Sequence, residues 1–262
     1  MSNTSVSEPE TPGILEQARS RLREIVEAER LLQAQVSVRV KPLTPQEAIG
    51  NPERQDFPII IGKERMIEAS VLGARGHAFT DSPREHMATV AQVLELELDT
   101  NHRRAIVVAT LNAVLRHLDR VTGTVHCKDE DPELCAREIA QLLLERFGRA
   151  EVGLVGLNPA IAERLVDAFG AEHTRITDLN RDNIGVRRFG VTIWDGSART
   201  DELIEASDVL LVTGTTLVNG TFDAIWRRTC ASGKQFIPYG VTASGVCELM
   251  GLERLCPRGQ DA

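Results

Sequence analysis

The last two-fifths of the chain alternates short apolar runs with amphipathic ones, and this alternation is its strongest constraint on fold. EVGLVGLNP reads as a buried strand ending in a turn, and Ala160 to Phe169 follows as a helix. TRITDLN and GVTIWD are further strands. Helix Thr200 to Ala206, strand DVLLVT, helix Phe222 to Ala231 and strand QFIPYG complete the series. Strands joined by helices at this spacing form βαβ units, hence a parallel sheet covered on both faces. The fold class expected is therefore α/β: a Rossmann-like parallel-sheet domain over 149–262, preceded by a smaller α+β domain.

The smaller domain is expected over 14–100. Leu15, Ala18, Leu22, Ile25 and Val26 recur at helical spacing between Ile14 and Leu32. Val36, Val38 and Val40 alternate as in a half-buried strand, and FPIIIGKERMIEASVLG reads as two strands joined at GKER. GARGHAFTDSP reads as a polar, Gly-containing break. Helices are expected from Arg84 to Leu98, from His102 to Leu118 and from Ile139 to Phe147. Residues 101–148 would then connect the two domains at their interface, and 1–13, polar and acidic, reads as a disordered lead-in.

With 262 residues and a formal net charge of −8, the chain lacks the cationic surface that nucleic-acid binding requires. No apolar run approaches a membrane span, and the N-terminus lacks the basic-then-apolar order of a signal peptide. The five cysteines are odd in number and widely spaced, which fits a reducing cytoplasmic setting better than a disulfide framework. Nothing in the pattern fixes the oligomeric state; a homo-oligomer is compatible with it.

Ligands of open α/β sheets bind beyond the carboxyl ends of strands, where helix N-termini point. GLNPA brings Gly156 and Asn158 to such an end, without the spaced glycines of a dinucleotide fingerprint. Asp178 closes the second strand, where a ribose-binding acid would sit in a Rossmann unit. TGTTLVNGT supplies Thr213, Gly214, Thr215, Thr216, Asn219, Gly220 and Thr221. Capping the next helix needs only Asn219 or Thr221, so the surplus of hydroxyls points to a ligand, although the block also reads as a plain βα turn. YGVTASG repeats the chemistry with Gly240, Thr242 and Ser244. Asn112, inside an otherwise apolar helix, either ties backbone together or faces a polar cleft.

From VGLVGLNP through DVLLVTGTTLVNGTFDAI to PYGVTASG the chain resembles the putative heavy-metal chelation domain family. The upstream ATLNA and GKERMIEASVLGARGHAFTD resemble the small domain that accompanies it. The resemblance implies an enolase-N-terminal-like α+β domain joined to a Rossmann-like domain, with a cleft between them. It implies a role in binding metals or in making a metal-containing cofactor such as cobalamin, and no particular reaction. Glu64, His77 and Asp81 are then candidate cleft residues from the small domain, beside Asn112 and the strand-end loops.

VHCKDEDPELC lies outside the family pattern. DPELC reads as a helix start with Asp131 as cap, placing Cys135 near a positive dipole end that favours a thiolate. His126, Cys127 and Cys135 could supply soft ligands to a transition metal, or be two ordinary buried thiols and a surface histidine. Cys230, Cys247 and Cys256 read as packing residues. No GxSxG elbow, Walker loop or HExxH is present, and seven Phe, two Trp and one Tyr do not make base-stacking platforms. Three readings follow. The first is a cleft binding a small anionic molecule or metal complex, for metal handling or cofactor biosynthesis. The second is a small-molecule enzyme using a nucleotide-type cofactor, NAD or S-adenosylmethionine. The third is a thiol-based metal carrier or redox sensor.

Overall fold

A computed structural model describes residues 12–32, 37–62 and 64–262. Most of the expected N-terminal lead-in, Val36 and Lys63 lie outside the described residues.

Helix α1 (Ile14–Ala28) buries Ile14, Leu15, Ala18, Leu22 and Val26. It stops short of Leu32 because Arg30 turns to a φ of +60° and the Leu31 N–H bonds the Val26 carbonyl. Strands β1 (Ser37–Leu43), β2 (Arg65–Val71), β3 (Ala74–Thr80) and β4 (His86–Thr89) form an antiparallel sheet in the order β3-β2-β1-β4. Between β1 and β2 lie α2 (Pro45–Ile49), with a Thr44/Glu47 capping box, and the single turn α3 (Pro58–Ile61).

Three expectations for this region are corrected. PIII is helical rather than extended, because Pro58 has no N–H for a ladder and suits a first helical turn. ARGHAFT is strand β3 rather than a break. Leu72 and Gly73 both take positive φ (50° and 91°), the geometry of a tight hairpin turn, and this lays β3 against β2. The stretch expected as one helix from Arg84 divides into β4 and the short α4 (Val90–Leu94), because Thr89 and Gln92 form a capping box.

Helix α5 (Asn101–His117) is buried along its whole length from Ala105 to Leu115. It lies across β2 and β3, and a Cβ at Gly76 would stand 2.4 Å from both the Ala109 carbonyl oxygen and the Ala113 nitrogen. Asn112 takes the first of its two expected roles. Its Nδ2 donates to the carbonyls of His77 (2.9 Å) and Val241 (3.1 Å), and its Oδ1 accepts from the Gly245 N–H (2.8 Å).

Helix α6 (Asp131–Phe147) starts at DPELC as expected, and Asp131 is its first residue rather than its cap. The second sheet contains β5 (Val152–Val155), β6 (Thr174–Asp178), β7 (Arg187–Arg188), β8 (Val191–Asp195), β9 (Val209–Thr213) and β10 (Gln235–Tyr239). Its order is β10-β9-β5-β6-β8-β7, parallel except for the edge strand β7. Alternation along β9 sends Val209 and Leu211 to the core under α6 and α7 (Pro159–Phe169). Leu210 and Val212 go to the opposite core, under α8 (Gly196–Glu205) and α10 (Phe222–Ala231). The fold is thus mixed α/β, a small antiparallel sheet beside a larger, mostly parallel one. The chain steps outward from β5 through β6 to β8, then crosses back to β9 and β10. Strand order therefore reverses between β5 and β9, where a crevice opens at the carboxyl ends.

Two short helices, α9 (Thr215–Asn219) and α11 (Ser244–Met250), follow β9 and β10. The last residues form a strap: Leu255 bridges Tyr239, Gln260 pairs with Val125, and the Ala262 carbonyl accepts from the Arg75 N–H.

Asn112→Ala would strand three buried backbone groups at about 1–3 kcal/mol each. A loss of roughly 3 kcal/mol or more is expected in urea unfolding, read from the midpoint at unchanged m-value.

Candidate functional site

The carboxyl ends of β5, β6, β9 and β10 open into a cleft of about 800 Å³ whose other walls are Glu64, Phe79 and Asp81, the α3 segment, and the first turns of α6. Gly156, Asn158, Asp178, Gly240 and Thr242 line it, as do Thr213 to Thr216 and Asn219 to Thr221. Three sequence candidates do not: Ser244, whose buried hydroxyl donates to the Gly123 and Val241 carbonyls, Asn112 and His77. Asn112 is sealed inside the fold. His77 sits within β3, buried beneath the sheet, rather than in a loop.

Most polar groups at the strand ends are already engaged. The Thr216 hydroxyl donates to the Thr213 carbonyl (2.6 Å), and the Thr213 hydroxyl donates to that of Thr215 (3.2 Å). Asn219 Oδ1 accepts from both the N–H and the hydroxyl of Thr221. Gly220, at φ +82°, closes α9. The surplus hydroxyls of TGTTLVNGT thus knit a one-turn helix where the sequence suggested an open loop. Gly214 permits close packing, since a Cβ there would stand 2.7 Å from the Ala243 nitrogen, and its own N–H is bonded to the Tyr239 carbonyl (3.0 Å). Asn158 caps α7, and Thr242 Oγ1 accepts from the Phe79 N–H (3.1 Å), joining the two sheets.

Asp178 is likewise committed: its oxygens accept from the Leu157 N–H (2.8 Å) and the Asn180 N–H (2.5 Å). Burial raises its pKa, and these bonds oppose the rise. It braces the Gly-Leu-Asn-Pro turn rather than presenting a free carboxylate to a ribose. Asp81 accepts from Asn101 Nδ2 on both oxygens, and Asn101 is held in turn by Arg104.

Glu64 differs. Its carboxyl has no hydrogen bond to the described residues, and burial, with Asp178 and Asp81 nearby, pushes its pKa up to about 7. Thr177 Oγ1, also on the cleft wall, is buried without a partner among the described residues. Four carboxylates (Glu64, Asp81, Asp178, Asp201) face the cleft against one guanidinium, Arg181, so its field favours cations.

The opposite wall carries sulfur. Cys127, Cys135 and Cys256 all line it. Cys135 is not the thiolate that its place near a helix start suggested. The neighbouring Cys127 thiol and burial push it up to about 12, and Cys256 is raised by the neighbouring Cys135 thiol and by burial. His126 donates from Nδ1 to the Cys127 carbonyl (2.6 Å) and stands edge-on to Phe79. Burial lowers its pKa, which leaves a neutral ring with an unprotonated Nε2. Among the described residues no three or more His, Cys, Asp or Glu side chains are arranged to enclose a metal ion.

Cys256 was expected only to pack. It lines the cleft from the C-terminal strap, on the same wall as Cys127 and Cys135, a separation that spacing rules cannot register. Of the other two, Cys247 is buried as expected and Cys230 is exposed. Tyr239 was also overlooked, although it is the only tyrosine of the chain. Its hydroxyl donates to the Gly156 carbonyl (3.2 Å), linking the ends of β10 and β5.

Residues 138–250 match the family model DUF364, described as "Putative heavy-metal chelation". A DUF364-family protein of unknown function from Pyrococcus horikoshii has a similar fold, with a TM-score of 0.50 at 13% identity over 88% of this chain and 80% of its own. Another, from Desulfitobacterium hafniense DCB-2, gives 0.46 at 13% identity over 71% of this chain and 72% of its own. Among curated proteins there is no match. The DUF364 match covers the parallel sheet from β5 to β10. Glu64, Asp81, His126, Cys127, Cys135 and Cys256 all lie outside it. Among the described residues no helix is long and apolar enough to cross a membrane.

His77 has a positioning role behind this wall. Its Nδ1 accepts from the His126 N–H (3.1 Å), so Nε2 carries the proton and donates to Glu68 (3.1 Å). Burial lowers its pKa below the ordinary 6.5. Below that value the unfolded chain binds a proton that the folded chain refuses, so the stability this group contributes is complete above pH 6.5 and declines as pH falls toward the folded value. His126 acts in the same direction. The histidine contribution to stability should decline as pH falls below 6.5, against the opposite contribution of Glu64, and His77→Gln should remove part of it. An unchanged slope in the variant, measured by urea unfolding across this range, would remove His77 as its source.

Proposed function

We propose that the cleft binds a small metal-bearing or cationic ligand, as cargo in heavy-metal handling or in the assembly of a metal-containing cofactor. Glu64 carries this reading. A part-buried carboxyl without a hydrogen-bond partner among the described residues, beside two further carboxylates, is a place where a cation would stabilise the ionised form. The backbone N–H groups of Gly156, Leu157 and Gly214, which an anion would need, are already bonded within the protein. This favours the metal-complex half of the sequence expectation over the anionic half. A nucleotide ligand gains no support, since Asp178 braces a turn and no spaced glycines face a pyrophosphate. The family description agrees with a metal ligand without naming one. Five cysteines free of disulfides fit the reducing, cytoplasmic setting proposed for this role.

Calorimetric titration with Co²⁺, Ni²⁺, Zn²⁺, Fe²⁺ and a cobalt corrinoid, under exclusion of oxygen, tests it. With Glu64 titrating at about 7, the affinity for the cation should rise roughly tenfold between pH 6 and pH 8, as the carboxyl ionises. Glu64→Gln should lose both the affinity and its pH dependence. The variant should also unfold at higher urea at pH 8. A carboxyl raised on folding contributes stability that is complete below the ordinary 4.5 and lost as pH climbs through about 7. Failure of every probe to bind, or equal binding by Glu64→Gln, would overturn the proposal.

A further inference from the structure

The cleft continues past the strand ends onto the sheet face that carries α8 and α10. Ser197, Thr200, Asp201 and Ile204 line it, and their spacing marks a single face of α8 along almost its whole length. Thr221, Ala224 and Ile225 give a matching face at the start of α10. The floor is Val155 and Thr177, which are partners in the β5–β6 ladder. Both lie on the side opposite Leu154 and Ile176, which point into the core under α6 and α7. The base of this arm is apolar, since Val155, Ile204 and Ile225 belong to one buried cluster. Its other hydroxyls are engaged: Ser197 donates to Asp195, Thr200 to the Gly196 carbonyl, and Thr221 to Asn219. Thr177 is the exception. Of the four buried side-chain atoms without a partner among the described residues, its Oγ1 alone belongs to a residue of this cleft. Valine would fill the same strand position equally well, so packing does not explain the hydroxyl. At the rim Asp201 and Arg181 are both exposed and opposite in sign.

We propose that this arm is a subsite for a neutral, mainly apolar organic group carrying one hydrogen-bond acceptor, a carbonyl or ring nitrogen, with Thr177 Oγ1 as its donor. A buried donor is rarely left unpaired, and a ligand that supplies an acceptor gains this bond without breaking one inside the protein. Charge is disfavoured at the base, because Val155, Ile204 and Ile225 offer nothing to replace the water a charged group would lose. A bare metal ion has no use for such a surface, whereas the body of an organic ligand buries it favourably. The cavity of about 800 Å³ has room for such a group beside a cation. The inference goes beyond the cation reading of the cleft and does not rest on it, since it uses no carboxylate.

The probes are quinoline, its acceptor-free counterpart naphthalene and its charged counterpart N-methylquinolinium, each titrated onto the full-length chain and followed by ligand-observed NMR. Wild type should bind quinoline about fivefold more tightly than naphthalene, the factor expected of one neutral hydrogen bond. Thr177→Val should erase that preference and keep the binding of naphthalene, while Thr177→Ser should retain the preference. N-methylquinolinium should not displace quinoline. Ala224→Trp, at an exposed position on the same arm, should obstruct it and weaken both neutral probes. A hydroxyl bonded within the protein would cost stability on removal, so Thr177→Val should melt no lower than wild type. Failure of wild type to bind quinoline, equal preference in Thr177→Val, displacement by the cation, unchanged binding in Ala224→Trp, or a lowered melting temperature of Thr177→Val would each overturn the inference. Quinoline carries neither charge nor metal, so its failure to bind would leave the cation reading standing, and the reverse also holds.

Discussion

The side-chain amide of Asn112 is the node on which the cleft depends. One amide bonds the backbone of β3, the turn after β10 and the start of α11, and so fixes the small sheet against the carboxyl edge of the large one. Two glycines clear its surroundings. A Cβ at Gly76 would stand 2.7 Å from Asn112 Cβ, and one at Gly245 would stand 2.9 Å from its Oδ1. A fully satisfied amide in an apolar interior tolerates no sliding, because any shift leaves buried partners unpaired. The Phe79–Thr242 bond continues the same seam toward the cleft. Glu64 and Asp81 therefore face the strand ends at a fixed separation, although they belong to the other sheet.

The seam also orders the sulfur wall. His77, opposite Glu68 in the β2–β3 ladder, holds the backbone of His126 through its Nδ1. That arrangement requires a neutral ring, since a protonated Nδ1 would meet the His126 N–H donor to donor. Its carboxylate partner fixes the tautomer, and burial keeps the ring from charging. Residues 126 and 127 are thus presented to α6 by a buried pair that never touches the cleft itself. The strap completes the wall from the other side, pinned by Gln260 to Val125 and by Arg258 to Glu138.

Sequence periodicity revealed the parallel sheet well, because its central strands β5 and β9 are buried on both faces and the helices around them carry apolar stripes. It failed in the small sheet, where short strands carry function-like residues. Gly76 and His77 gave GARGHAFTDSP the look of a loop, yet both are there for packing: one admits α5, the other supports His126. The hydroxyls of TGTTLVNGT misled for a related reason. Thr and Asn are good ligands for small molecules and equally good at satisfying their own backbone, and only geometry separates the two uses. Glu64 was legible as a candidate and not as the unpartnered one, since its environment is assembled from β2, β3 and β6. Cys256 was illegible because no local pattern reports a wall assembled across the whole fold.

The distribution of chemistry between matched and unmatched segments bears on what the cleft recognises. Within 138–250 the strand ends contribute chiefly bonded groups: Asp178, Asn158, the threonines of α9 and the glycines that let backbones approach. They build the floor and keep few donors or acceptors free. Apart from Thr177 Oγ1, the groups singled out on the cleft wall come from outside: the Glu64 carboxyl, His126 Nε2 and the three thiols. A scaffold that consumes its own polar groups can be kept while the appended walls change, because altering a wall residue strands nothing in the floor. The segment that matches the DUF364 model thus accounts for much of the shape of the cleft, and the residues before and after it supply most of the groups on which the proposed cation binding rests. The ligand of this protein is to be sought in the chemistry of those walls.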